Sequence, residues 1–204
     1  MSIILVRHGE TPLNATRVLQ PPDTPLSELG RAQARAVGER LARAGVTAIV
    51  SSDLARATMT AEPLAALTGL PIERTELLQE RNFGALRGRP MDSLGFDPTE
   101  MEHAPEGGES VPVFLERVAR AFAAVVERRR RSGGPLAVVT HGLVLRAILD
   151  HHAGRTGAAP IPHRLANTSV SILSAESPWA IELVNCTRHL DAASRDDGRG
   201  AFGV

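Results

Sequence analysis

Two apolar runs in the chain end the same way, in a histidine followed by glycine: Leu5-Val6-Arg7-His8-Gly9 and Val138-Val139-Thr140-His141-Gly142. An imidazole can act as a nucleophile or move a proton near neutral pH, and a guanidinium beside it presents a planar fork to an oxyanion. A third run, Ala48 to Ser51, leads into Ser52-Asp53-Leu54-Ala55-Arg56 and sets Arg56 in the first turn of a helix, where a cation works against the helix dipole. A cation held there signals a ligand. Glycine after each histidine permits a tight turn and close backbone approach, and a helix opening at Gly142 aims N–H groups at an anion. Phosphate is the guest this set suits, because phosphoryl transfer is catalysed chiefly by positioning and by preorganised positive charge.

The elements that must position these residues are legible as an alternation. Ile3 to Val6, Ala48 to Ser51 and Leu136 to Val139 are short, β-branched and uniformly apolar, as strands buried on both faces are. Between them lie helical patterns. One is capped by Ser27, carries Leu29, Ala32, Ala36, Val37 and Leu41, and stops at Gly45; a second covers Leu54 to Leu67 and ends at Gly69, before an extended Pro71-Ile72-Glu73. Further helices are expected over Val111 to Arg131 and Leu143 to Leu149, and late strands over Val170 to Leu173 and Ala180 to Val184. This order predicts a three-layer α/β/α sandwich around a mostly parallel sheet, whose carboxyl ends gather the ligand site. Arg81 to Glu109 is broken by Gly and Pro and reads as a long functional loop. Residues 1–190 form the single expected domain, and 191–204, polar and Gly-rich, a flexible tail.

With 204 residues, 43% of them hydrophobic, the chain can bury one sizeable core. Charge balances at 23 basic and 23 acidic residues, so no overall field draws it to nucleic acid or a membrane surface, and neither is an expected partner. One cysteine, Cys186, forms no internal disulfide. There is no signal-peptide pattern and no membrane-length apolar run, so the cytoplasm is the expected compartment. Arg128-Arg129-Arg130-Arg131 complements a helix end as a solvated face, and His151-His152 lacks the spacing of a zinc site.

Arg7-His8-Gly9-Glu10-Thr11 with Asn14 resembles the signature of the histidine phosphatase superfamily, also called phosphoglycerate mutase-like. Further matches run nearly the length of the chain: Asp23-Thr24-Pro25-Leu26-Ser27 with Gly30, Ser51 to Ala57 with Thr60-Ala61, Glu80 with Phe83-Gly84, Gly107-Gly108-Glu109-Ser110, and Thr140-His141-Gly142. The resemblance implies His8 as phosphoryl acceptor, Arg7, Arg56 and His141 as the phosphate pocket, Glu80 as proton donor, and no metal or cofactor. Asn14, Gln20, Gly142 and Arg87 are the implied substrate contacts. For this chemistry the second ring nitrogen of His8 must donate to a neighbour such as a backbone carbonyl, and Glu80 must be protonated when substrate arrives.

Pocket residues alone leave the phosphoryl acceptor open between water and a sugar-acid hydroxyl. Mutases of this family carry a longer, basic and aromatic insertion between the acid and the second His-Gly, whereas Arg81 to Glu109 is short and poor in aromatics. The expectation is therefore a phosphomonoesterase acting on a small phosphate ester, with a cofactor-dependent phosphoglycerate mutase and a non-catalytic phosphate-binding protein as alternatives. Pro21, Met59, Leu86 and Leu143 depart from the common pattern, and Arg87, Arg89 and His103 are either contacts to a second anionic group or solvated charges. Thr187 and His189 read as closure of the last strand, and the apolar helix faces leave a homodimer open.

Overall fold

A computed structural model describes residues 2–154 and 160–190; the tail expected at 191–204 lies outside them. Strands β1 (Ser2–Arg7), β2 (Ala48–Ser52), β3 (Ile72–Thr75), β4 (Leu136–Thr140), β5 (Val170–Ser174) and β6 (Ile181–Cys186) form one sheet in the order β3-β2-β4-β1-β5-β6. The pairs β2–β3, β2–β4 and β1–β4 are parallel, and β5 runs antiparallel to both β1 and β6. Five strands thus share one direction and β5 alone is reversed, which agrees with the mostly parallel sheet expected.

Helices α1 (Pro12–Ala15), α2 (Glu28–Arg43), α3 (Ala55–Thr68), α4 (Val111–Arg131) and α5 (Gly142–His151) complete the chain. Alternation within each strand splits the core in two. Ile3, Leu5, Val50, Leu136 and Val138 face Phe114, Val118, Val125, Leu145 and Ile148 of α4 and α5, while Ile4, Val6, Ile49, Ala137 and Val139 face Val37, Leu41, Ala61 and Leu64 of α2 and α3. Three layers result. Ser27 caps α2 by accepting the Gly30 N–H at 2.9 Å, and Gly45 follows α2 at a φ of 69°. Among the described residues no helix is long and apolar enough to cross a membrane.

Pro63 sits inside α3, where a helix interior normally excludes it. Its ring packs against Gly38 of α2, at which a Cβ would come within 3.1 Å of the Pro63 Cβ. The two helices therefore approach so closely that a Cβ at this position would need its neighbours to give way by a few tenths of an ångström. Helix α1, four residues long, was absent from the periodicity because its length cannot show one. Arg81 to Glu109 is irregular as expected, with single 3₁₀ turns at Gly84–Leu86 and Met91–Ser93.

Candidate active site

Register builds the site. Arg7 pairs with Thr140 across β1 and β4, so the residues that follow, His8 and His141, leave the sheet side by side with ring centroids 5.2 Å apart. Both are fully buried. Helix α3 starts just beyond β2 and delivers Arg56, 1% exposed, to the same place.

His8 Nδ1 lies 2.7 Å from the carbonyl oxygen of Gly9. A carbonyl has no proton to give, so Nδ1 carries the hydrogen and Nε2 keeps its lone pair, with no partner. Burial pushes the His8 imidazole well below its usual pKa, and Arg56 and Arg7 push it further, so the ring is neutral at pH 7. The backbone carbonyl expected to fix this tautomer is thus its own neighbour's. His141 is likewise held neutral, by burial first and then by Arg56, His8 and Arg7. Its Nε2 is hydrogen-bonded to Ser52 Oγ at 2.9 Å, which leaves Nδ1 bare.

Arg7 donates through Nη1 to the Leu165 carbonyl, and Arg56 through Nη1 to that of Pro21 at 3.2 Å. Burial lowers the Arg56 pKa to about 10, and it remains a cation at neutral pH. Inside the same cluster Arg56 Nε, Asn14 Nδ2 and Gln20 Nε2 are buried donors without partners among the described residues. Buried donors are normally satisfied, and leaving one unmade costs about 1–3 kcal/mol. Three of them around two bare imidazole nitrogens mark a place shaped for oxygen acceptors. Asn14 is only 3% exposed, so it belongs to the floor of the site and not to its rim.

Glu80 is 3% exposed and no surface acid. Its carboxyl accepts the Arg81 N–H at 3.0 Å through Oε1 and the Leu143 N–H at 3.1 Å through Oε2. Burial raises its pKa, while those two hydrogen bonds and the charges of Arg56 and Arg7 oppose the rise. The first turn of α5 therefore gives the Leu143 N–H to the acid, so that this N–H is not free for a bound anion. Gly142 opens α5 beside His141. Gly9 has a further reason: a Cβ there would stand 2.7 Å from the Gly30 carbonyl oxygen, so close backbone packing on α2 demands it.

Apart from Thr60 and Glu109, which fall in the matched runs, the supporting groups carried no sequence signal strong enough to single them out. Thr60 Oγ1 accepts the Gly9 N–H at 2.9 Å, Asn167 Nδ2 donates to the His8 carbonyl at 2.9 Å, and Thr168 N–H donates to that of Arg7 at 3.1 Å. Arg117 donates to the carbonyls of Leu77, Gln79 and Glu80 and makes a two-pronged pair with Glu109, so it clamps the segment that carries the acid. Arg81, 2% exposed, donates to the carbonyls of Thr99, Met101 and Glu109 and folds the long loop back on itself. Arg87 is half-buried near Arg56; Arg89 and His103 are exposed. Leu86 and Leu143 pack with Leu19, Phe83 and Met91 in a third apolar cluster next to Glu80.

Residues 3–187 match the histidine phosphatase superfamily (branch 1). The chain is 36% identical over 214 residues to a probable phosphoglycerate mutase of Yersinia pestis (strain Pestoides F), covering 97% of this chain and 98% of that one. A structure of the mycobacterial glucosyl-3-phosphoglycerate phosphatase with VO3 superposes with a TM-score of 0.75 and 30% identity, over 91% of this chain and 99% of that one. The alpha-ribazole phosphatase from Shigella flexneri shares the fold, with a TM-score of 0.77 at 24% identity over 91% and 96% of the two chains.

Proposed function

The chain belongs to the histidine phosphatase superfamily (branch 1), and from that membership we propose that it hydrolyses small phosphate monoesters through a phosphohistidine on His8, without a metal ion. The observation that carries this reading is the His8 ring: neutral, tautomerically fixed by the Gly9 carbonyl, and presenting a bare Nε2 beside two buried guanidinium groups.

In the first step Nε2 attacks phosphorus and the ester P–O bond breaks. Arg7, Arg56, the His141 ring, Asn14 and Gln20 hold the equatorial oxygens, and Arg87 contacts the rest of the ester. Protonated Glu80 gives its proton to the departing alkoxide; burial raises its pKa and so favours the protonated form, against two backbone hydrogen bonds and the charges of Arg56 and Arg7. In the second step the Glu80 carboxylate takes a proton from water, the water oxygen attacks phosphorus, and the P–N bond breaks to release inorganic phosphate and return the lone pair to Nε2. Two guanidinium groups supply the charge that a metal supplies in other phosphatases.

Supporting hydrolysis as the outcome are the mycobacterial phosphatase at 30% identity and the compact Arg81–Glu109 loop. Likeness to the Yersinia protein favours a second reading, transfer to a phosphoglycerate hydroxyl. Assaying phosphate release from a panel of phosphomonoesters, and 3-phosphoglycerate interconversion with 2,3-bisphosphoglycerate, separates them. Release abolished by His8→Ala supports the phosphatase; interconversion without release establishes the mutase instead.

A further inference from the structure

Four consecutive arginines close α4, and three have acidic partners. Arg128 pairs with Glu73, and Arg130 and Arg131 pair with Glu127. Arg129 has none among the described residues, yet it is the buried one, at 4% exposure. Its Nε has no hydrogen-bond partner among those residues. The sequence pattern placed all four on a solvated face, and for Arg129 that expectation fails because its side chain turns inward, under the β5–β6 connection.

Beneath that connection lies a cavity of about 530 Å³, lined by Val126, Arg129, Arg130, Ala175, Glu176, Ser177 and Trp179. Small-molecule pockets occupy roughly 300–1,000 Å³. Trp179 contributes a second buried donor, its indole Nε1, without a partner among the described residues. The indole is fixed edge-on against Phe122, with centroids 5.2 Å apart, and the opposite partner of Phe122 is the stacked ring of His152. Arg129 and Trp179 thus each bring an unpartnered donor to the wall of one cavity, whose other lining groups include the Arg130 guanidinium and the Glu176 carboxylate, and a buried donor left unmade costs about 1–3 kcal/mol.

We propose that this cavity is a second oxyanion-binding site, in which Arg129 and the Trp179 indole N–H hold the carboxylate or phosphate of a small molecule. It is separate from the catalytic pocket. Ser174 pairs with Ser2 at the start of β1, whereas His8 follows the end of β1, so the length of that strand, roughly 16 Å, lies between the two.

The chain holds one tryptophan and no tyrosine, so its intrinsic fluorescence reports on the cavity wall alone. Titrating the His8→Ala protein with inorganic phosphate and with citrate, against sodium chloride at matched ionic strength, should give a saturable change in Trp179 emission with one or both oxyanions and none with chloride. Phosphate alone or citrate alone identifies which acid the site takes. Arg129→Gln should weaken that binding by about tenfold or more, the loss expected for a hydrogen bond to a charged group. Ala175→Leu, which fills the cavity and leaves Arg129 in place, should abolish the response even if Arg129→Gln does not fold. Emission that follows ionic strength only, or a saturable response that survives both substitutions, overturns the proposal. Running the titration in the His8→Ala background keeps its outcome independent of the catalytic reading.

Discussion

Replacing Glu80 by Gln separates the two steps of the reaction. Both carboxyl oxygens accept backbone N–H groups, from Arg81 at 3.0 Å and Leu143 at 3.1 Å. A carboxamide has one acceptor oxygen, so one N–H is stranded and folding stability should fall by about 1–3 kcal/mol. Activity should fall further. General acid–base catalysis typically contributes about 10²–10⁴-fold, or roughly 2.7–5.4 kcal/mol at 1.36 kcal/mol per tenfold. An alkyl phosphate needs the proton in the first step, because an alkoxide is a poor leaving group. An aryl phosphate leaves as a stabilised phenolate and does not. With p-nitrophenyl phosphate the variant should therefore release one equivalent of nitrophenol per active site in a rapid burst and then stall, since water can no longer be deprotonated. Stopped-flow absorbance reads this directly. Equal losses on alkyl and aryl esters with no burst would refute the assignment of Glu80 as both acid and base.

Arg56→Ala should lower kcat/KM by about two to three orders of magnitude, as loss of one preorganised donor does, and steady-state assay of Arg56→Lys should recover little, because a point charge does not reproduce the guanidinium fork. Stability should also depend on pH in a way set by the site. His8 and His141 have pKa values lowered by burial, so from about pH 6.5 downward the unfolded chain binds protons that the folded one refuses, and stability falls with falling pH. Each such group adds up to about 1.36 kcal/mol per pH unit, so urea midpoints of His8→Asn/His141→Asn should decline less steeply between neutral pH and pH 5 than those of wild type. His189, lowered to about 4, contributes to the same slope in both proteins. Glu80 acts oppositely: its raised pKa means the folded state holds a proton above the ordinary 4.5, so its contribution is lost as pH rises through that window. Glu109→Gln, which unclamps Arg117, should cost on the order of 2–3 kcal/mol in chemical denaturation, less than the 3–5 of a fully buried pair because both side chains are 16% exposed. It should also lower kcat more than it raises KM, since Glu80 is displaced.

Much of this was legible from local pattern. Buried strands announce themselves as apolar runs, and a strand that stops at Arg-His-Gly places those groups at a sheet end before any coordinates exist. The side-by-side histidines follow from parallel register. What the sequence withheld is held at long range. Arg117 reaches the Glu80 segment 37 positions away, and Asn167 reaches the His8 carbonyl across 159, contacts that no spacing rule encodes. Burial of single arginines was equally hidden. Arg81 beside Glu80 and Arg129 within a run of four look like solvated charges, and only the path of the loop and the β5–β6 connection turns them inward. Reversal of β5 was hidden for the same reason, since a short apolar strand carries no mark of its direction.

The central claim, a covalent bond between phosphorus and His8 Nε2, is tested most directly by acid-free quenching of the enzyme during turnover of an aryl phosphate, followed by intact-protein and peptide mass spectrometry. A phosphoryl group that is stable to alkali, labile to acid, located on His8 and absent from His8→Ala is the expected result. Undiminished phosphate release by His8→Ala, or a phosphoryl group found on another residue, would contradict it.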